Sequence, residues 1–280
     1  MFLRAAGPTL VKHVAEILGQ RGIPVMPLKG VLLQKLVYGD RSFRPIVDVD
    51  LLVPEARFFE ACALLGANGF TDQQWPPGEW QVTLKNPRGM PLGIDLHRRL
   101  ARTSRTRLTP AAMFARGARD TRLFGAPVVL PSNEDLLAHL LLHATLHWIN
   151  RGTLHRLGDF EALASVRVMD AGRCAQHLRD QGMNAHALLL LPMIAAEVEG
   201  PFIPALLRQL EPDARARIVG GLVRALARRF PPGAPGRRLA GLALAPSIAG
   251  ALLGALRDRA SPEPPGRVRT PIVEPTRDDR

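Results

Sequence analysis

The sequence predicts an α/β (α+β) fold: a small mixed-sheet domain followed by a helical domain. Three observations carry that expectation. Across residues 1–100, short β-branched apolar runs alternate with helical stripes in the order α-β-α-β-α-β-β. Between residues 133 and 230 the periodicity is helical throughout. The closing stretch "ASPEPPGRVRTPIVEPTRDDR" (260–280) is Pro-rich with mixed charge and reads as a disordered tail. The expected divisions are an α/β domain over 1–130, a helical domain over 131–256 and a tail over 257–280.

Each element has its own signal. Leu10, Val11, Val14, Ile17 and Leu18 form a helical stripe over 8–21, and Gly22 stops it. "IPVMPLKG" (23–30) is a short buried strand ending in a turn glycine, and "VLLQKLVYG" (31–39) is a helix opening directly after it. "IVDVDLLV" (46–53) is rich in β-branched residues and ends at Pro54, so it is a strand. "EARFFEACALLGANGF" (55–70) is a helix closed near Gly66 and Gly69. "WQVTLKN" and "LGIDLHRRL" are two strands joined by the turn "PRGMP". "TRLFGAPVVLPSNED" (121–135) reads as a hairpin around Gly125, then an N-cap in which Ser132 precedes Asp135 by three. "FPPGAPGRR" (230–238) reads as a loop.

Composition narrows the class. The chain has 280 residues, 46% hydrophobic and 22% charged, ordinary for a protein with a sizeable core. Its formal charge of +12 is concentrated: residues 98–122 hold eight Arg against Asp120 alone, and 208–238 hold eight against Glu211 and Asp213. Such blocks suit a polyanion. With four Lys beside 33 Arg, the bias equally reflects Arg- and Ala-rich coding, so nucleic acid is a subordinate reading. Cys62 and Cys174 lack CxxC spacing and read as free thiols of a reducing compartment. The N-terminus carries no cleavable signal pattern, and no apolar run reaches the ~18 residues of a membrane span. A cytoplasmic protein without a membrane partner is expected.

Three features converge on chemistry. Lys29-Gly30 is a strand-to-helix turn whose backbone N–H groups suit a phosphate, though a tight turn alone also needs glycine. Asp48 and Asp50 alternate along a strand and share a face, with Val47, Val49 and Leu51 as the apolar face opposite. Asp95 lies in "GIDLH", also a strand, and two neighbouring antiparallel strands would bring the three carboxylates together. Such a trio suits hard Mg²⁺, two ions about 3.5–4 Å apart serving phosphoryl transfer. From spacing alone, a metal pair and the polar edge of a strand both stand.

The stretch "PLKGVLLQKLVYGDRSFRPIVDVDLLV" resembles the uncharacterised nucleotidyltransferase family of the DNA polymerase beta-like nucleotidyltransferase superfamily. The resemblance implies that Gly30 is the turn and Asp48 and Asp50 the metal pair, with Asp95 as third carboxylate. Lys29 and Arg44 match positions that recur around these motifs. "NEDLLAHLLLHATLHWINRGTLHRLGDFEALAS" (133–165) is similar to the family's downstream helices, with His143 and Asp159 at matching places. Val31 stands where many superfamily members carry Ser, and the spacing from Gly30 to Asp48 is longer than in minimal members.

The implied activity is Mg²⁺-dependent transfer of a nucleoside monophosphate from a nucleoside triphosphate to a small-molecule, peptide or protein acceptor, releasing pyrophosphate. Asp48, Asp50 and Asp95 would hold two Mg²⁺ ions, and Lys29, Gly30 and Arg44 would face the phosphates. The alternative is a catalytically idle fold serving as a binding or accessory subunit. His139, His143 and His147 fall at i, i+4, i+8 on one helix face. Without a Glu after His139 they read as a polar face over the cleft, with His143 near substrate or against Asp159, rather than as a zinc site. His97 shares the strand face of Asp95 and reads as its orienting partner.

Overall fold

The computed structural model describes residues 2–39, 46–72, 80–87, 92–101, 106–151, 157–210, 214–232, 234, 243, 244 and 246. Arg44, the 257–280 tail and most of the 230–238 loop lie outside them.

The chain opens with α1 (Phe2–Gly19), whose apolar stripe Leu10, Val11, Val14, Ile17 and Leu18 is buried as the periodicity demands. Gly22, at φ 64, turns the chain into β1 (Met26–Pro27). The next helix, α2, begins at Lys29, earlier than the sequence suggests, runs to Leu33 and continues as a π-helical turn over Gln34–Tyr38. β2 (Asp48–Leu52) is followed by a 3₁₀ turn at Glu55–Arg57, α3 (Phe58–Ala67) and β3 (Thr71–Asp72). β4 (Gln81–Lys85) and β5 (Gly93–His97) complete a sheet of order β1-β2-β5-β4-β3.

The two Asp-bearing strands are neighbours, but parallel rather than antiparallel as expected. The cause is the β4–β5 antiparallel pair: the chain reverses between these two strands, so β5 returns in the direction of β2. The register sets Asp48 opposite Gly93, Asp50 opposite Asp95 and Leu52 opposite His97, while β4 sets Thr83 opposite Asp95 and Gln81 opposite His97. Period-2 alternation therefore collects Asp50, Asp95 and Thr83 on one face. Val49, Leu51, Ile94, Leu96, Val82 and Leu84 are buried on the other. Burial of such side chains contributes roughly 1.5–3 kcal/mol each relative to exposure.

α4 (Pro110–Arg116) starts from a Thr109 cap and leads into the hairpin of β6 (Ala118–Asp120) and β7 (Val128–Leu130), with Gly125 at φ 69 between them. Val129 N–H donates to Val25 O at 2.8 Å, docking this hairpin beside β1. The expected N-cap is present: Asp135 N–H donates to Ser132 Oγ at 3.1 Å. It starts α5 (Asn133–Arg151), followed by α6 (Gly158–Val166), α7 (Ala171–Asp180), α8 (Asn184–Glu197), α9 (Phe202–Gln209) and α10 (Ala214–Arg229). α5 packs on α7 and α8, and α8 in turn on α9 and α10. α2 joins sheet to helices: it touches β2 and α5, and Tyr38 at the end of its π turn donates to Asp159 Oδ1 of α6 at 2.6 Å. No helix among the described residues is long and apolar enough to cross a membrane.

Candidate active site

The site is built where β2 and β5 run side by side. Val47 is 73% exposed, so the apolar face expected from Val47 onward begins only at Val49. Asp48 is also exposed at the strand's start, whereas Asp50 is 2% exposed. A carboxylate buried this deeply needs partners, because desolvation favours its neutral form. Two donors supply them on one oxygen: Lys29 Nζ lies 2.5 Å from Asp50 Oδ1 and His97 Nε2 lies 2.9 Å from it. Burial pushes the Asp50 carboxyl up, but the Lys29 ammonium and the His97 ring outweigh it and hold the group well below the usual carboxylate range. Asp50 is therefore ionised at neutral pH.

The backbone arranges this pairing. Leu28 N–H donates to Asp50 O at 3.0 Å, which pins the chain before Lys29 to β2. Lys29 then takes φ 41, in the left-handed region that side chains seldom adopt. The expected turn glycine is corrected here: the left-handed residue is Lys29, and Gly30 is a buried residue in the first turn of α2.

Asp95 is oriented from the other side. Thr83 Oγ1 donates to its Oδ1 at 2.6 Å and Gln81 Nε2 to its Oδ2 at 3.2 Å. Sequence reasoning passed over both residues, although the alternation Gln81, Thr83 against Val82, Leu84 was visible in "WQVTLKN". His97, expected to orient Asp95, instead bonds Asp50 across the parallel register. Among the described residues its buried Nδ1 has no hydrogen-bond partner, so Nε2 is the ring nitrogen that engages Asp50. The Trp80 ring lies against it, 5.2 Å between centroids.

Asp50, Asp95 and His97 each offer a ligand atom, and these atoms lie within 4.8 Å of one another. Two carboxylates already oriented by second partners, with an imidazole beside them, fit a divalent cation in donor chemistry and spacing. Asp48 stands outside that tight set but within its field. Its carboxyl is pushed up by partial burial and then by the Asp50 charge, with Lys29 pulling the other way.

Helix α5 packs on α2 and carries two histidines within the field of this cluster. His139 is 2% exposed, neither ring nitrogen has a hydrogen-bond partner among the described residues, and burial and then the Lys29 ammonium push its titration well below the ordinary imidazole range. His143 keeps solvent on part of its ring, yet burial of the rest and Lys29 push it down to about 3. The solvent that remains tempers this shift, and a neutral ring at pH 7 is the consequence. The His143 and His147 rings are 5.8 Å apart.

The first basic block is partly absorbed into structure. Arg98 is buried near the Phe58 and Phe59 rings, Arg99 Nε donates to Glu55 at 2.8 Å, and Arg116 pairs with Asp135.

The solution structure of the antibiotic-resistance factor ANT(2'')-Ia is similar at 16% identity over 63% of this chain and 91% of that one, with a TM-score of 0.44. No curated protein matches the chain. The family model described as "Uncharacterised nucleotidyltransferase" matches residues 9–198, a span that takes in Lys29, both Asp-bearing strands and α5. The chain belongs to that nucleotidyltransferase family.

Proposed function

We propose that the protein is a divalent-metal-dependent nucleotidyltransferase that moves a nucleoside monophosphate from a nucleoside triphosphate to an acceptor. The observation that carries this reading is Asp50 set opposite Asp95 in a parallel register, ionised while buried, within a chain of the nucleotidyltransferase family. Asp48, Asp50 and Asp95 are the proposed metal ligands, with His97 beside them. Mg²⁺ held there supplies Lewis-acid stabilisation of the phosphoryl oxygens.

In the proposed reaction an acceptor hydroxyl oxygen bonds the α-phosphorus, the α–β anhydride bond breaks, and pyrophosphate leaves. The hydroxyl proton passes to a carboxylate or to solvent. Both Asp95 oxygens already accept hydrogen bonds, which suits holding a cation better than carrying a proton. Lys29, the backbone at Gly30 and Arg44 are assigned to the phosphates, where positive charge stabilises the developing charge.

The test is transfer of label from α-³²P nucleoside triphosphates, with Asp48→Ala/Asp50→Ala as control. Transfer by the wild type and none by the double variant is the expected result. If the wild type binds Mg²⁺–nucleotide no better than the variant, the reading falls. A catalytically idle binding subunit is the second reading, favoured by Val31 in place of the Ser common at the phosphate turn. It predicts nucleotide binding without pyrophosphate release.

A further inference from the structure

We propose that Lys29 is a resident counter-ion of the acid cluster, seated on Asp50 until a divalent cation displaces it and frees the ammonium for the triphosphate. The inference rests on reading the acids as a metal site, and deepens it. Its first support is geometric: Lys29 Nζ sits 2.5 Å from Asp50 Oδ1, on a carboxylate that shares a 4.8 Å ligand cluster with Asp95 and His97. A divalent cation entering that cluster meets a fixed positive charge within a few ångströms, and like charges in a poorly solvated site repel strongly. Either the cation binds weakly or the ammonium leaves.

The second support is the backbone. Lys29 holds φ 41, where a non-glycine residue is strained, and the strain persists because the neighbouring Leu28–Asp50 backbone bond and the ion pair hold the turn in place. The third is chemical. Without Lys29 or another cation, the buried Asp50 carboxylate would keep only the His97 N–H as a partner, and a buried charge so poorly compensated is costly.

The exchange couples the two ligands of the reaction. Metal alone must evict Lys29, so it binds the free protein weakly. Metal with triphosphate offers the released ammonium new anionic partners, so the two bind together more tightly than either alone.

The experiment uses the full chain. Mn²⁺ binding is followed by electron paramagnetic resonance, and lysine reactivity by brief acetic anhydride labelling with peptide mass spectrometry. The chain has only four lysines, and the exposed Lys85 serves as internal reference. Lys29 should be protected without metal, become several-fold more reactive when Mn²⁺ is bound, and be protected again on adding triphosphate. Lys29→Met should bind Mn²⁺ about tenfold more tightly than the wild type in the absence of nucleotide, and Lys29→Arg should not.

Bound Mn²⁺ with unchanged Lys29 reactivity overturns the inference while leaving the metal site intact. Lys29→Met binding Mn²⁺ no more tightly does the same. Absence of Mn²⁺ binding in both proteins overturns the metal reading and the inference together. Should Lys29→Met not fold, the wild-type labelling arm decides alone.

Discussion

Replacing Thr83 by Val removes a 2.6 Å donor to Asp95 while keeping side-chain volume, so it isolates what orientation of that carboxylate is worth. Partners of this kind typically carry about 10–100-fold in metal affinity or activity. We expect Thr83→Val to weaken Mn²⁺ binding about tenfold with an unchanged circular dichroism spectrum. Unchanged affinity would mean the β4–β5 register alone aims Asp95. At this scale the acids were legible: Asp-x-Asp on an apolar run and a later Asp on a strand are visible as letters. Their supports were not, because Gln81 and Thr83 read as the solvent-facing half of an ordinary strand. Only the antiparallel partner strand places an acid beside them. The interchange of Lys29 and Gly30 at the turn was illegible for another reason. Sequence argues for glycine wherever a left-handed residue is needed, whereas here an ion pair holds a lysine in that conformation.

Strand direction shows what elements conceal. The apolar pattern of β2 and β5 is the same whether they pair parallel or antiparallel, so direction came only from the β4–β5 pairing. The start of α5 was easier, since Ser132 caps it as its position suggests. The junction of α4 with the β6–β7 hairpin is tightly filled at Gly117. A Cβ there would stand 2.5 Å from Val129 Cγ1, 3.0 Å from the Leu130 carbonyl oxygen and 3.1 Å from that of Met113. Two of these neighbours are backbone and cannot rotate away. Gly117→Ala should therefore destabilise by about 1–3 kcal/mol, read as a lower midpoint in urea; an unchanged midpoint would show that the hairpin shifts freely. Next to it, buried Asp135 receives Arg116 Nε and Nη2 at 2.9 and 2.7 Å and faces His177 Nε2 at 2.9 Å, tying α4, α5 and α7. Asp135→Ala leaves Arg116 Nε and Nη2 without their acceptor. Because Arg116 is partly solvated, the expected loss is about 2–3 kcal/mol, below that of a fully buried pair.

Across the whole molecule, His139 and His143 of α5 make stability depend on pH. His139 titrates far below its unfolded value, since burial, Lys29, His143 and His97 all disfavour its charged form, and Asp50 only partly opposes them. The unfolded chain binds a proton there below about pH 6.5 while the folded chain does not. Stability therefore falls as pH drops below that value, with a slope of at most ~1.4 kcal/mol per pH unit from this one group. His143 acts in the same sense, reduced by its solvent exposure. Asp50 and Asp135, both held below the usual range, lose their contribution only at more acidic pH, as each falls through its folded value. Asp48, shifted upward, works in the opposite sense within the carboxylate range. Between pH 7 and pH 5 both of these α5 histidines therefore lower stability as the pH falls. Since neither nitrogen of His139 has a hydrogen-bond partner among the described residues, His139→Leu removes a buried polar ring and keeps an apolar filling of similar size. The variant should melt higher than the wild type at pH 5 and show a shallower dependence of Tm on pH between 7 and 5. A wild-type Tm that stays flat over that range, or a variant that retains the full slope, would show that His139 takes up a proton in the folded state, and that α5 does not seal it from solvent.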